Sequence, residues 1–416
     1  MGPDPGTVTN VAPWILTVAA STLDRSFPAH VVFNRTRAEG QSLSATWLRG
    51  KGFYTMVNAA DAAAPGHSPA DAQVCSMGSL DSEKVTGKIV VCMRGGSPRV
   101  EKGEALSRAG GVGMILVNDE ASGHEVIADA HLIPAVHISH ADGVALLAYI
   151  NSTKDPKGFI TKAKTTLGTT PAPVMAAFSS QGPNIVNPEI LKPDVTAPGV
   201  SVIAAWSGAA GPSSMPYDHR SVAFNTQTGT SMACPHVSGI VGLVKTLHPD
   251  WSPSAIKSAI MTTALDPGLV YDMAAKDYLN FLCSLGYNAS SMAIFNEGPY
   301  RCPDDPLDPL DFNYPSITVL DLAASQPPAA ARRWVRNVGP APATYTAAVV
   351  REPDGVEVTV TPATLTFATT GEVRDFWVRF AVKDAAKAAD YAFGAIVWSD
   401  GTHNVRSPLV VKTTLE

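Results

Sequence analysis

Beyond Leu307 the apolar residues settle into strict alternation, and this limits what the C-terminal part of the chain can form. Apolar side chains recur at every second position in residues 356–360 and 376–382. Because successive side chains of a β-strand point to opposite faces, each segment predicts a strand with one buried face. Asp400-Gly401 follows another apolar run and is typical of a hairpin turn. Several short strands separated by turns predict a β-sandwich over residues 307–416.

A different pattern, between Gly87 and Ile150, predicts alternating strands and helices. Strands are expected at residues 87–92, 113–117 and 133–138, and helices at residues 100–109 and 143–150. This order predicts a small, partly parallel α/β domain. Near the start of the chain, the apolar residues 14–18 predict a buried strand.

Composition and charge exclude several classes of protein. With 416 residues the chain is long enough for two to four domains, and 45% hydrophobic against 16% charged residues argue against disorder. A net charge of −6 provides no general basic patch, so neither nucleic acid nor an anionic membrane is expected as a partner. No apolar run reaches the ~18 residues of a membrane span. The first residues also lack the basic start and apolar core of a secretory signal.

Ser231 is the residue whose surroundings look most suited to chemistry. Gly229 and Thr230 lead into it, and the residues after it carry apolar side chains at helical spacing. Ser231 is therefore expected at a helix N-terminus, where unpaired N–H groups and the helix dipole favour a developing negative charge. From pattern alone, the more common alternative is a serine that only caps the helix. Small Ala233, Gly239 and Gly242 are expected to let this helix run close to its neighbours.

The segment Gly-Thr-Ser-Met-Ala-Cys-Pro-His-Val-Ser-Gly at residues 229–239 resembles the nucleophile motif of the subtilisin-like serine proteases. Its Cys-Pro-His-Val-Ser-Gly ending is similar to that of plant members. Other segments that resemble the same catalytic domain are residues 1–22, 178–183, 192–199, 266–272 and 277–283. The resemblance extends over nearly the whole chain.

This resemblance implies a domain organisation. Residues 87–150 are similar to the protease-associated domain that plant subtilases insert into their catalytic domain, and Arg336-Asn337-Val338-Gly339 resembles the start of their fibronectin-III-like sandwich. The implied fold is an α/β subtilisin-like catalytic remnant with an inserted protease-associated α/β domain and a C-terminal all-β sandwich. The implied boundaries are 1–25 and 169–306 for the two parts of the catalytic domain, 26–168 for the inserted segment and 307–416 for the sandwich.

The resemblance also implies an activity, which is hydrolysis of peptide bonds by a serine endopeptidase. Ser231 would be the nucleophile, its backbone N–H would be one oxyanion donor, and Thr230 would support the oxyanion. Protein or peptide substrates are implied, with no cofactor and no metal. An extracellular glycoprotein is also implied, and three Asn-X-Ser/Thr sequons begin at Asn34, Asn151 and Asn288.

The sequence departs from the family pattern at three places. No Asp-Thr-Gly and no His-Gly-Thr segment occurs, although the family uses such segments for the triad aspartate and histidine. The Ala-Gly-Asn segment of the oxyanion asparagine is absent as well. Residues 261–264 run almost directly into residues 265–268, where family members carry a few dozen residues more. We therefore expect the chain by itself to be inactive. The alternative is a non-catalytic pseudoenzyme that binds proteins through the inserted and sandwich domains.

None of the histidines is a convincing replacement for the missing general base. His236 follows Ser231 by five residues on the same predicted helix, which turns it about 140° away. His219 follows Asp218, but chain neighbours rarely aim at one site. For the three histidines in the inserted segment, His131, His137 and His140, dispersed surface or strand positions are favoured over a metal cluster.

The five cysteines suggest two disulfides and one free thiol. Cys75 and Cys92 lie 17 positions apart, and Cys283 and Cys302 lie 19 apart, which suits the disulfides of secreted proteins without proving the pairing. Cys234 is expected to be a small buried hydrophobe in the helix after Ser231.

Overall fold

The structure of the chain, a computed structural model, describes residues 2–50, 52–262, 265–388 and 390–414. In chain order its strands are β1 (Val18–Ser21), β2 (Pro28–Phe33), β3 (Thr36–Gln41), β4 (Tyr54–Asn58), β5 (Ile89–Met93), β6 (Gly113–Val117), β7 (Ala135–Ile138), β8 (Lys157–Ile160), β9 (Val195–Pro198), β10 (Val202–Ala205), β11 (Phe224–Gln227), β12 (Leu269–Val270), β13 (Ile317–Leu322), β14 (Ala329–Asn337), β15 (Ala343–Arg351), β16 (Val356–Thr361), β17 (Thr364–Phe367), β18 (Val373–Val382), β19 (Tyr391–Ser399) and β20 (Asn404–Thr413). The α-helices are α1 (Pro69–Gln73), α2 (Ser82–Val85), α3 (Arg99–Arg108), α4 (His140–Ser152), α5 (Thr230–Leu247), α6 (Pro253–Thr262), α7 (Ala275–Ser284) and α8 (Ala289–Met292), with 3₁₀ helices at Ala59–Ala62 and Pro309–Asp311.

The chain divides into two compact units. The first unit comprises Met1–Ala19, Ser180–Ala197 and Cys234–Glu416, and the second comprises Ala20–Ser179 and Pro198–Ala233. No helix in the described part of the chain has both the length and the apolar character needed to cross a membrane.

The second unit is built on a closed seven-stranded barrel in the order β2-β3-β7-β6-β5-β4-β8. Strands β4, β5, β6 and β7 run parallel. Helix α3 connects β5 to β6, and α4 follows β7 and leads to the antiparallel strand β8, so the predicted strand–helix alternation is present. Side chains of β5 alternate: Ile89 and Val91 fill the barrel, whereas Val90 and Cys92 pack with Leu106 of α3 in a second cluster. Both faces of these strands are buried, which explains their continuous apolar runs.

The C-terminal part of the first unit is a β-sandwich, as the alternating pattern predicts. One sheet has the order β12-β14-β18-β16 and the other has the order β13-β20-β19-β15-β17. The alternate residues of each strand point between the sheets, where Phe376 and Trp398 are fully buried with ring centroids 5.1 Å apart. The Asp400-Gly401 hairpin joins β19 to β20.

The strand predicted at residues 14–18 is wrong. The first strand, β1, begins only at Val18, and Trp14 is exposed. Instead the chain turns around Pro13, because the Ile15 N–H donates to the Ala12 carbonyl over 3.0 Å. Proline favours such a turn, and the apolar run therefore does not continue as a strand.

A buried cluster of charged side chains joins four segments of the first unit. Asp194 is fully buried, and its Oδ2 accepts from Lys192 Nζ at 2.7 Å and from the Thr17 backbone N–H at 2.6 Å. The Tyr314 hydroxyl donates to the other carboxylate oxygen. Lys257 of α6 lies 3.6 Å from the same carboxylate and donates to the Tyr314 hydroxyl at 2.5 Å.

The two lysine ammonium groups also hold the N-terminal segment in place. Lys257 Nζ donates to the carbonyls of Pro13 and Ile15 at 2.8 and 2.9 Å, and Lys192 Nζ donates to the Ile15 carbonyl at 2.7 Å. Burial lowers the pKa of Lys257 to about 7, because desolvation outweighs the attraction of Asp194. Burial lowers the pKa of Lys192 as well. The cluster therefore binds fewer protons near neutral pH than its residues would in an unfolded chain.

Two disulfides are present, and they link the pairs that the spacing favours. Cys75 bonds to Cys92 in the second unit, and Cys283 bonds to Cys302 in the first. Cys234 is free, but the expectation that it is buried is wrong, because its side chain is exposed on α5. No described residue of the chain covers that side of the helix enough to bury it.

We expect the aromatic pair of the sandwich core to dominate the stability of that domain. Phe376→Ala should lower the free energy of unfolding by about 3–5 kcal/mol, since it removes a fully buried ring from a packed core. Trp377→Ala, at the next position on the exposed face, is the matched control and should change it by less than ~1 kcal/mol. Denaturant unfolding followed by circular dichroism measures both, and equal losses would contradict this assignment of faces.

We expect stability to rise with pH through the buried lysine of α6. Its pKa is about 7 in the folded chain and ~10.4 when unfolded, so the unfolded state binds more protons between these values and stability rises with pH. Lys257→Met removes this contribution, which is at most ~1.4 kcal/mol per pH unit. Urea unfolding at about pH 7 and about pH 9 should show a smaller increase for the variant. The same increase in both proteins would show that Lys257 is charged throughout.

Non-reducing peptide mapping should recover two cross-linked peptides, one joining Cys75 to Cys92 and one joining Cys283 to Cys302. Removing either bridge by a double Cys→Ser substitution should cost about 3 kcal/mol, because each closes a loop of moderate length. Cys234 should react with iodoacetamide in the native protein, since its side chain is exposed. A peptide that links Cys234 to another cysteine would be inconsistent with this pairing.

Candidate active site

Ser231 lies in the first turn of α5, where the sequence predicts the start of a helix. Both Ser231 and Thr230 are exposed, and they follow directly after strand β11 and the turn at Thr228 and Gly229. The first N–H groups of an α-helix have no partner within the helix, and the helix dipole is positive at this end. The side chain of Ser231 therefore stands beside donors that can stabilise negative charge.

The turn before Ser231 is anchored to the residues that follow β9. The Gly229 N–H donates to the Gly199 carbonyl at 2.8 Å, and the Ser201 N–H donates to the Thr228 hydroxyl at 3.0 Å. Strands β10 and β11 then pair antiparallel, with Val202 opposite Gln227. The position of Ser231 is thus fixed by backbone contacts with a segment about 30 residues upstream in sequence.

A side chain at position 199 would break this arrangement. A Cβ added to Gly199 would lie 2.6 Å from the Ala20 Cβ and 2.9 Å from the Gly229 carbonyl oxygen. Such distances are far shorter than van der Waals contact. Glycine is therefore required because two backbone segments approach each other closely, not because of an unusual φ angle.

Pro235 lies inside α5, four residues beyond Ser231. Because proline lacks an N–H, the Ser231 carbonyl has no i+4 donor from Pro235. The nucleophile candidate therefore lies on the part of the helix where the regular hydrogen-bond ladder is interrupted.

Only one side of α5 is covered. Ala233 is fully buried, as expected for a small residue at a close contact, and Val237 and Val244 are buried with it. Leu243 and Leu247 are 62% and 60% exposed.

The expectation of close packing is wrong at Gly239 and Gly242, because an added Cβ at either would find no atom within 4 Å in the described part of the chain. A helix with this composition is normally buried on all sides.

The histidines do not form a second catalytic or metal site with the residues described. Asp218 pairs with Arg220 at 2.7 Å and accepts from the Ser213 hydroxyl at 2.7 Å, while His219 points to solvent. The hydrogen bonds from Arg220 hold the pKa of Asp218 well below its usual range. His236 is exposed on α5, five residues beyond Ser231.

His131, His137 and His140 lie in or beside the barrel of the second unit. Burial lowers the pKa of His131 and His137 to about 4, so both are neutral at pH 7. His137 hydrogen bonds to Asn118 Oδ1 at 2.7 Å, and His140 hydrogen bonds to the Asn118 carbonyl at 3.2 Å. Within the described ranges, no three His, Cys, Asp or Glu side chains are grouped so that they could hold a metal ion.

A cavity of about 270 Å³ lies beside the chain that leads to Ser231. Its polar lining includes Thr226, Gln227 and Thr228. Arg99 and Asp129 also line the cavity and form a bidentate ion pair, in which Arg99 Nε and Nη2 donate to the two Asp129 carboxylate oxygens at 2.7 and 3.0 Å. Ser231 follows Thr228 by three residues, so its Cα lies within about 11 Å of the Cα of Thr228. Sequence reasoning missed this cavity, because its walls come from two parts of the chain, residues 98–130 and 212–228, that are more than 80 residues apart.

Comparison with protein families matches two parts of the chain. The model of the subtilase family matches residues 11–288, which is more than half of the chain. This chain is a subtilase. A fibronectin type-III domain matches residues 311–411, which contain most of the sandwich.

Plant proteins are similar to this subtilase over nearly its whole length. Subtilisin-like proteases SBT5.4 and SBT5.3 of Arabidopsis thaliana share 48% and 47% sequence identity with this chain, over alignments that cover 99% of it. Subtilisin-like protease Glyma18g48580 of Glycine max shares 42% identity over 99% of the chain. These alignments cover 56–57% of the relatives, so the chain spans little more than half of their length. The alignment to SBT5.4 has 446 positions against the 416 residues here, so the relative carries residues without a counterpart. The junction expected to lack such residues includes positions 263 and 264, which lie outside the described ranges.

Among solved structures, a psychrophilic subtilisin-like protease from an Antarctic Pseudoalteromonas matches 58% of this subtilase and 45% of its own chain, at 16% identity. The TM-score of 0.23 is too low to support an argument about the fold.

Proposed function

We propose that this subtilase carries the nucleophile of a serine endopeptidase and that Ser231 attacks the carbonyl carbon of the scissile peptide bond. The proposal is carried by the position of Ser231 in the first turn of α5. Its support is that this segment resembles the family's nucleophile motif and lies within the matched residues 11–288. A bond forms between Ser231 Oγ and the carbonyl carbon, the hydroxyl proton passes to a general base, and the carbonyl oxygen becomes an oxyanion.

The oxyanion is stabilised by donors at the start of α5. The backbone N–H of Ser231 is one donor, and the Thr230 hydroxyl supports it from the preceding position. Both residues are exposed and therefore open to a substrate. Loss of one such donor costs about 10²–10³ in turnover in subtilisin, so these groups account for part of the rate and not the whole of it.

The cavity beside Ser231 receives a side chain of the bound protein or peptide substrate. Successive residues of an extended peptide are about 3.3–3.6 Å apart, so a distance of up to ~11 Å corresponds to roughly three residues from the scissile bond. The lining is polar near Thr226, Gln227 and Thr228, and a polar side chain of the substrate suits this site.

We also propose that residues 1–416 have no peptidase activity by themselves. The sequence contains neither the aspartate nor the histidine segment of the family, and Asp218 is committed to Arg220. A serine hydroxyl without a general base is a weak nucleophile at neutral pH, and loss of the histidine alone lowers turnover in subtilisin by about 10⁶.

The barrel of the second unit is, on this proposal, the protease-associated domain, and the protein functions outside the cell. Support for the first point comes from the parallel strands β4 to β7 in the inserted segment. Support for the second comes from two disulfides, which form and persist in oxidising compartments.

Labelling with a fluorophosphonate probe tests the nucleophile and the inactivity in parallel. Residues 1–416 alone should remain unlabelled. A chimera that joins residues 1–416 to the aspartate and histidine segments that the family resemblance implies should become labelled, because those segments supply a general base. Ser231→Ala in the chimera should abolish labelling, whereas Ser238→Ala on the same helix is the matched control and should retain it.

Each outcome decides one part of the proposal. Labelling of residues 1–416 alone that is lost in Ser231→Ala would show that a substitute base exists and would refute the inactivity. A folded chimera that never reacts would favour a non-catalytic protein that binds partners through its barrel and sandwich domains.

A further inference from the structure

A cavity of about 500 Å³ in the first unit belongs to no part of the proposed peptidase site. We call it the sheet-face pocket. It is lined on one side by Thr318, Tyr391, Phe393 and Val410 of the sandwich. The other side is formed by residues 181–184, 188 and 191–193. Its volume falls within the usual range of ligand-binding pockets.

The sandwich side of the pocket is the outer face of the five-stranded sheet. Thr318 of β13 lies opposite Val410 of β20, which in turn lies opposite Phe393 of β19. Their chain neighbours Leu409 and Val411 point into the sandwich core, so these three residues point away from it. Phe393 is 55% exposed although it is a large aromatic side chain.

The opposite wall is unusually rich in proline. The four prolines that line it are Pro5, Pro183, Pro188 and Pro193. Lys192 also lines the pocket, but its ammonium group is bound by Asp194 and the Ile15 carbonyl. The pocket is therefore mostly apolar, with Asp390 as a carboxylate among its lining residues.

Two polar side chains that line the pocket each keep one buried atom without a hydrogen-bond partner. Asn184 is 1% exposed, and its Oδ1 accepts from the N–H groups of Val186 and Asn187 at 3.0 and 3.2 Å. Its Nδ2 has no partner among the described residues, and neither has the hydroxyl of Thr318, which is 3% exposed. A buried polar atom without a partner costs free energy, so each such atom in a folded protein calls for an explanation.

We propose that the sheet-face pocket binds a proline-rich peptide segment in the polyproline II conformation. The unpaired Asn184 Nδ2 is a donor and the Thr318 hydroxyl can donate, so a ligand that offers acceptors would satisfy both atoms once the side chains that cover them move aside. Proline residues offer carbonyl oxygens and have no N–H that would need an acceptor in return. In known recognition grooves, proline rings pack on aromatic side chains. In the sheet-face pocket, Tyr391 and Phe393 offer such aromatic surfaces.

The charged residues that line the pocket indicate which charge the bound peptide should carry. Asp390 adds a carboxylate, and the lysine that lines the pocket is already neutralised by Asp194. An acidic segment is therefore disfavoured, and an uncharged or basic proline-rich segment is favoured. Such a segment arrives with little conformational entropy to lose, because polyproline II is largely formed before binding.

Calorimetric titration of residues 1–416 with a blocked oligoproline of about ten residues tests this proposal. Saturable binding is expected, and a Gly-Ser peptide of equal length should not bind. Phe393→Ala should weaken binding about tenfold, since it removes an exposed ring that contacts the ligand. Trp377→Ala, an exposed aromatic residue on the other sheet, is the matched control and should bind normally.

Asn184→Asp tests the hydrogen bond itself. The aspartate keeps an oxygen for the N–H groups of Val186 and Asn187 but replaces the donor with a second acceptor. Binding should fall about five- to tenfold while the thermal transition remains cooperative. If this variant fails to fold, Phe393→Ala decides the question, because its side chain is exposed.

Three results would overturn the proposal: no saturable binding of oligoproline, equal binding of the Gly-Ser peptide, or unchanged binding by Phe393→Ala. Ser231→Ala should bind oligoproline like the parent chain, because the sheet-face pocket contains no residue of α5. Failure of this proposal therefore leaves the assignment of the nucleophile intact, and failure of that assignment leaves this one intact.

Discussion

The carboxylate of Asp194 is the group on which the first unit depends. It is fully buried, and it accepts from Lys192, Tyr314 and the Thr17 backbone N–H, with Lys257 3.6 Å away. Two ammonium groups that are out of water would be very costly without this anion. The residues involved come from the N-terminal segment, the approach to β9, α6 and the entry to the sandwich, so a single charge holds together segments that are far apart in sequence.

The alternation of apolar residues was sufficient to predict the sandwich, and the strand–helix order was sufficient to predict β5, β6 and β7 of the barrel with helices α3 and α4. Strands β2, β3, β4 and β8 of the barrel were not predicted. Both patterns are local, and each reports which face of an element is buried. The turn at Pro13 and the exposure of α5 were not predictable in this way, because they depend on whether another segment covers the residue. The small size of Gly242 predicts a close helix contact at this position, but no described residue packs against it.

In the candidate site, too, local features could be predicted from the sequence, whereas features that depend on distant segments could not. Its helix start could be predicted from the residues around Ser231, and its anchor could not, because the Gly229 to Gly199 hydrogen bond joins two loops that are distant in sequence. The ion pair of Asp218 with Arg220, and not with His219, could not be predicted from the sequence either, because adjacent side chains in a loop point in different directions. The motif identifies which residue reacts, whereas the folded chain determines which groups surround it.

The exposed thiol of Cys234 is a site at which a spectroscopic probe can be attached to α5. It lies three residues beyond Ser231, which is about 4.5 Å along the helix axis and close to one full turn around it. A spin label or an environment-sensitive dye attached there would sit next to the nucleophile without any engineered residue. Its mobility or emission would change when another polypeptide covers the open side of α5, so burial of this helix can be followed in real time in the unmodified sequence.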